Sequence, residues 1–337
     1  MRVKGVVIQL SYENIIQVSR LCRSFKVPKR EQTGVLSSIK SLFHREFVTV
    51  DAVSDVTFTV KQGEIRGLIG PNGAGKSTTI KILSGILYPS SGEVSVMGYK
   101  PWLERKEYVK HIGVLFGQRS QLEWDLPPID SFYLRKKLYD IPDGVYKENI
   151  DYLRELLDIG GIITKPVRQL SLGERMKCEF VCAVLHEPPL VFLDEPTIGL
   201  DVVSKETVRR FISSINKEKG TTFILTTHDL SDIENLCENI TVINNGTIVF
   251  DNGIDKLKEY LPARRVVKVQ FGEPVDYKAV EPFHPVSFDR VKAEFAVDMT
   301  CTDVKTAVCD ILQSLPVADV SIEGANIEEV IRHIYAG

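Results

Sequence analysis

Gly70, Pro71, Asn72, Gly73, Ala74, Gly75, Lys76, Ser77 and Thr78 follow an apolar run and open a helical one. Residues of these types at this spacing hold phosphate. The glycines let backbone N–H groups converge on a β-phosphate at a helix N-terminus, Lys76 brings charge to the β and γ oxygens, and Ser77 offers a hydroxyl to magnesium. A second apolar run, in "PPLVFLDEPTIGLD", ends in Asp194 and Glu195. Beside a phosphate loop, Asp194 would hold the ion through water and Glu195 would polarise the attacking water as a general base. Standing alone, the same pair could be the acidic cap of the next helix. A third run, "FILTTH", ends in His228, whose protonation is switchable. After "IGVLFG", Gln118 is an uncharged group that could reach magnesium or water, or lie on the surface.

"LSLGER", Leu170 to Arg175, stands far along the chain from that loop. Ser171 and Gly173 there precede the helical run "ERMKCEFVCAVL".

These residues need elements to place them. From Ile15 a first strand is expected, and a second from Phe47 through Val60. Between them, residues 20–46 carry Arg20, Arg23, Lys26, Lys29, Arg30, Lys40 and Arg45, with a short amphipathic piece near Val35 to Phe43. This insertion reads as a solvated loop, with contact to anionic lipid as the other reading. After Glu64 strands and helices alternate up to about Gly253, the pattern of an α/β sheet. From about 119 to 170 helical spacing replaces strand signals, so a helical subdomain is inserted there. The expected domains are 15–258 and, beyond "LPAR", a small C-terminal α+β domain at 264–337.

The bulk composition excludes more than it assigns. The chain has 337 residues, a formal net charge of -3 and 43% hydrophobic content, which suits a core-forming protein without a bulk pull toward nucleic acid. Its apolar runs are far short of the roughly 20 residues that span a bilayer, and no cleavable signal opens it, so a cytoplasmic protein is expected. Six cysteines are scattered without a CxxC pair. Cys178 and Cys182 would share one helix face, where core packing and a redox pair are the two readings.

The order of the phosphate loop, Gln118, "LSLGER", Asp194-Glu195, Asp201 and His228 resembles the ATP-binding cassette family, the nucleotide-binding subunits of ABC transporters, over about 15–253. The resemblance implies a P-loop NTPase sheet core of ABC type, ATP and magnesium as ligands, and a head-to-tail dimer with a second copy or a homologous cassette. In that dimer Ser171 and Gly173 would serve the partner's γ-phosphate, and Asp201 would lie in the loop that crosses the interface. Phe47 sits where the family places an aromatic on adenine, although Phe43 is nearby and either could be core. Leu172 and Glu174 depart from the family signature, which has a glycine and a glutamine there.

The function so implied is an ATP-hydrolysing subunit that drives movement, with export favoured, through separately encoded membrane permease subunits. It would sit peripherally on the cytoplasmic face of the membrane. "RSQLEWDLPP" could form a groove for a permease helix around Leu122, Trp124 and Leu126, unless Trp124 packs inside the helical subdomain. The alternative is a soluble cassette ATPase acting on ribosomes or nucleic acid. Against it, the chain holds a single cassette and no heptad tract.

Overall fold

The computed structural model describes residues 13–28, 47–117, 120–227, 229–259, 264–298, 303–324 and 330–331. Gln118, His228 and most of the basic insertion, with its amphipathic piece, lie outside the described residues. Two compact units form, 1–252 and 253–337, so the division falls a few residues before the expected end at 258.

The first unit runs β1 (Asn14–Pro28), β2 (Phe47–Lys61), β3 (Ile65–Ile69), α1 (Lys76–Leu83), β4 (Ser91–Val96) and β5 (Ile112–Phe116). Next come α2 (Pro128–Leu138), α3 (Asp143–Leu157), α4 (Leu172–Val184) and β6 (Leu190–Asp194). It closes with α5 (Val202–Lys219), β7 (Thr222–Thr226), α6 (Leu230–Leu236), β8 (Asn239–Asn244) and β9 (Thr247–Gly253). The main sheet has the order β5-β6-β7-β3-β8-β9, with β5, β6, β7, β3 and β8 parallel. Strands covered on both faces read as near-continuous apolar runs, as in "LVFLD" of β6 and "TFILT" of β7. Asn245 and Gly246, at φ 48° and 81°, make the two-residue turn from β8 to β9, a conformation that favours this residue pair.

A second, antiparallel sheet, β2-β1-β4, shares a core with the first. Ile16, Val18, Leu21, Val56 and Val96 from it meet Leu68, Phe192, Ile224 and Ile243 of the parallel sheet and Ile80 and Leu83 of α1. Each large apolar side chain buried there contributes roughly 1.5–3 kcal/mol.

Helices α2, α3 and α4 lie in sequence between β5 and β6. Ile150, Leu153 and Leu157 form the buried stripe of α3 at helical spacing. On α4, Cys178 and Cys182 are both buried and free, and burial pushes each thiol up to about 12, the behaviour of core side chains. Phe180 of α4 packs on Phe211 of α5 with ring centroids 5.3 Å apart.

The second unit contains β10 (Arg264–Phe271), a short helix Tyr277–Val280, β11 (Pro285–Asp289), β12 (Lys292–Asp298), α7 (Val304–Ser314) and β13 (Val317–Gly324). The sheet order is β11-β12-β10-β13 and the neighbours pair antiparallel, the split β-α-β topology of ferredoxin-like domains. Alternate residues Val267, Val269 and Phe271 point to one core with Phe295, Ile311 and Leu315. Among the described residues no helix is long and apolar enough to cross a membrane.

Candidate functional site

Because β3, β6 and β7 are parallel neighbours, the segments that leave their C-terminal ends emerge on one edge of the sheet, where α/β proteins place ligands. The loop after β3 is held by backbone from two other strands. A Cβ on Gly70 would stand 2.3 Å from the Ile243 carbonyl oxygen, and one on Gly75 would stand 2.3 Å from that of Ala52. Gly75 also has φ 109°, so glycine is required there on two grounds. Gly75 caps α1 without any side-chain hydrogen bond, and the first turn holds no acidic residue. The partial positive charge of this helix start is therefore left for a ligand.

Lys76 is buried, and its Nζ donates to the carbonyl oxygens of Gly70 at 2.6 Å and Pro71 at 3.1 Å. Burial pulls its pKa below the ordinary lysine range, while Glu195 and Asp194 act in the opposite direction. The ammonium group is thus poorly solvated and bonded to neutral oxygens, an arrangement that an incoming phosphate would relieve.

Ser77 Oγ donates to Asp194 Oδ1 at 3.1 Å, which brings together two of the residues expected to hold magnesium. Thr226 Oγ1 donates to the same oxygen at 2.6 Å. Hydroxyl and carboxylate oxygens are the donors that magnesium takes. Among the described residues no group of three or more His, Cys, Asp or Glu could hold a metal ion by itself. Glu195 follows at φ 53°, a left-handed conformation uncommon for a residue with a side chain. Its N–H is shared between Thr226 O at 3.1 Å and Thr226 Oγ1 at 3.0 Å. Thr226 is absent from the residues read as functional in the sequence. Its signal was a hydroxyl at the end of an apolar strand, two residues before His228.

The "LSLGER" segment opens another helix. Its helix, α4, begins at Leu172 rather than at Glu174, and Ser171 is its N-cap. Ser171 Oγ accepts from Glu174 N at 3.2 Å while Glu174 Oε2 accepts from Ser171 N at 2.8 Å. This reciprocal capping box accounts for Glu174, whose S-x-x-E spacing carried the signal. The Ser171 backbone N–H on the carboxylate holds the Glu174 pKa below its ordinary value.

Asp201 caps α5 without a reciprocal bond to its own N–H, its carboxylate accepting from Ser204 N at 3.0 Å and Ser204 Oγ at 2.6 Å. The two caps are neighbours, since a Cβ on Gly173 would stand 2.4 Å from Ser204 Oγ. Leu172, Ile198, Val202 and Val203 are all exposed around them, Val202 to 82%. Phe47 starts β2 opposite Pro28 with its ring largely exposed, and β2 then runs on to the Ala52 carbonyl beside Gly75. Trp124 is exposed together with Leu126 while Leu122 is buried, so the tryptophan does not pack inside the helical segment.

Comparison with known proteins agrees in family and in fold. Residues 53–198 match the family described as ABC transporter. The bacitracin transport ATP-binding protein BcrA of Bacillus licheniformis is 34% identical over 62% of this chain and 67% of its own length. The daunorubicin resistance ATP-binding protein DrrA3 of Streptomyces coeruleorubidus is 29% identical over 84% of this chain and 90% of its own. A solved dimeric ATP-binding cassette in a post-hydrolysis state with ADP and Pi superposes with a TM-score of 0.58 at 20% identity, covering 71% of this chain and 98% of that one.

Proposed function

This chain belongs to the ATP-binding subunits of ABC transporters, a family that binds and hydrolyses ATP, and from that premise we propose that its two-layer edge site powers export through separately encoded membrane subunits. The observation that carries the reading is the Ser77–Asp194 pair beside the uncapped start of α1, with buried Lys76 between loop and carboxylates. In this reading the backbone of residues 70–78 and Lys76 hold the ATP phosphates, and Phe47 stacks on adenine. Ser77, Asp194 and Gln118 hold magnesium, which when bound neutralises phosphate charge.

Glu195 takes a proton from the attacking water, with His228 as a second catalytic residue. Ser171 and Gly173 face the γ-phosphate held by a second cassette, and Asp201 lies in the loop between the two sites. The exposed apolar residues around Ser171 and Asp201 support a partner surface there, as does the dimeric state of the structural relative. Exposed Trp124 and Leu126 support docking of a permease helix beside Leu122, which would place the subunit on the cytoplasmic face of the membrane. Export is supported by relatives named for bacitracin transport and daunorubicin resistance.

The test is purification of the Glu195→Gln variant with ATP from detergent-solubilised cells, together with its turnover. ATP hydrolysis is expected to fall by about 10² to 10⁴ with ATP still bound, and polytopic membrane proteins are expected to co-purify in near-equal amounts. Unchanged turnover would overturn the assignment of Glu195. Recovery of ribosomes or nucleic acid in place of membrane proteins would move the function to a soluble cassette ATPase.

A further inference from the structure

We propose that Thr226 is a positioning residue of the hydrolytic site, in which one buried hydroxyl on β7 fixes both acidic residues at the end of β6. The proposal rests on the reading above, in which Asp194 serves the metal and Glu195 the water.

Pairing of β6 with β7 places Thr226 directly beside Asp194, and the threonine is fully buried. A threonine hydroxyl has one hydrogen to give and lone pairs to receive. Here the hydrogen goes to Asp194 Oδ1 at 2.6 Å, and the oxygen receives the N–H of Glu195 at 3.0 Å. Because Asp194 Oδ1 also receives Ser77 Oγ at 3.1 Å, three oxygens in a row tie β7 through β6 to the first turn of α1. The carboxylate is thereby held in one rotamer before any ion arrives.

The second contact acts on the backbone. Glu195 adopts φ 53°, and such a conformation persists in a residue with a Cβ only where its surroundings over-determine it. Both oxygens of Thr226 accept the Glu195 N–H, so the direction in which the Glu195 side chain leaves β6 is set from β7. A valine side chain has nearly the shape of threonine's but can neither donate nor accept, which leaves only the backbone carbonyl on the Glu195 N–H. A serine keeps both contacts and loses a methyl group. The shape and the hydrogen bonding of the residue can thus be varied separately.

The experiment compares full-length wild type, Thr226→Val, Thr226→Ser and Glu195→Gln. It measures the Mn²⁺ dissociation constant in the presence of ADP by electron paramagnetic resonance, nucleotide affinity in EDTA, kcat and KM for ATP, and thermal unfolding. Outer-shell partners of metal ligands typically change metal affinity or activity by about 10- to 100-fold. Thr226→Val is expected to weaken Mn²⁺ binding and lower kcat about 10-fold or more, with metal-free nucleotide affinity and KM within about twofold. Thr226→Ser is expected to restore both to within about threefold of wild type.

Mn²⁺ affinity and kcat within about twofold of wild type in Thr226→Val would overturn the proposal, and so would equal impairment of the valine and serine variants, which would mark packing alone. If the valine variant does not fold, Thr226→Ala carries the same expectations and the same overturning result. Unchanged turnover in Glu195→Gln sinks the site reading itself. Lost turnover there, with an unaffected Thr226→Val, sinks only the role of Thr226.

Discussion

Two helices of this chain begin on glycine and serine, α1 at the phosphate loop and α4 at "LSLGER", yet their first turns are in opposite electrostatic states. α1 starts from Gly75 with no side chain at the cap and no acid in its first turn, and among the described residues Lys76 Nζ is bonded only to carbonyl oxygens. α4 starts from Ser171, whose hydroxyl and N–H are both already bonded to Glu174. A free helix start attracts anions, whereas one carrying its own carboxylate is satisfied in advance. Serine and glycine at a helix start are therefore not enough to make a phosphate site. The capping box uses the Ser171 hydroxyl oxygen as an acceptor, so its hydrogen is what the proposal assigns to a phosphate held by another cassette.

The largest expected effect comes from removing the charge at α1. Lys76→Met is expected to weaken ATP binding about 100-fold, the loss of charge-assisted hydrogen bonds to phosphate, when measured by equilibrium titration with a fluorescent nucleotide. A titration within threefold of wild type would erase the distinction between the two helix starts. The pH dependence of that affinity follows the sign of the Lys76 shift. Because burial lowers its pKa, the charge is lost, and affinity falls, at a pH below the range of an ordinary lysine.

The same kind of change at α4 is expected to act on the fold and the dimer rather than on ATP capture. Ser171→Ala removes an N-cap and should cost about 1 kcal/mol of stability in denaturant titrations, with ATP affinity of the single subunit unchanged. Weakened ATP capture in this variant would place the segment at the nucleotide of its own chain.

The smallest effect is expected from Glu174→Gln, which can keep the capping box without the charge. The folded-state pKa of Glu174 is depressed, so its stabilising contribution is present above the ordinary carboxylate value and is lost as pH falls through the depressed one. Unfolding midpoints recorded from pH 6 to 3 should therefore decline less in the glutamine variant than in wild type. Parallel curves would show that the carboxylate contributes nothing beyond the amide.

Legibility differed from one part of the site to another. Residues 70–78 could be read because their chemistry is contiguous, and Asp194-Glu195 because the pair closes a strand-like run. The S-x-x-E of Ser171 and Glu174 was equally contiguous, but a capping box and a phosphate signature share residues, so the text alone left the role of Glu174 undecided. Thr226 is not legible, because hydroxyl residues end many strands and mean nothing until a neighbour is known. The C-terminal unit could be read as α+β from its alternating runs, but not as β11-β12-β10-β13, because pairing order is not a local property.

By itself, the sequence determined the phosphate loop, the carboxylates that follow an apolar strand, the inserted helical stretch and the family they point to, since each rests on residue types at short, fixed spacing. Only the tertiary structure decided that the hydroxyls of Thr226 and Ser77 meet on one oxygen of Asp194, and that Gly173 lies against Ser204. Those contacts depend on strand register and helix packing between distant segments, which are set when whole faces are buried together and not by any stretch of chain alone.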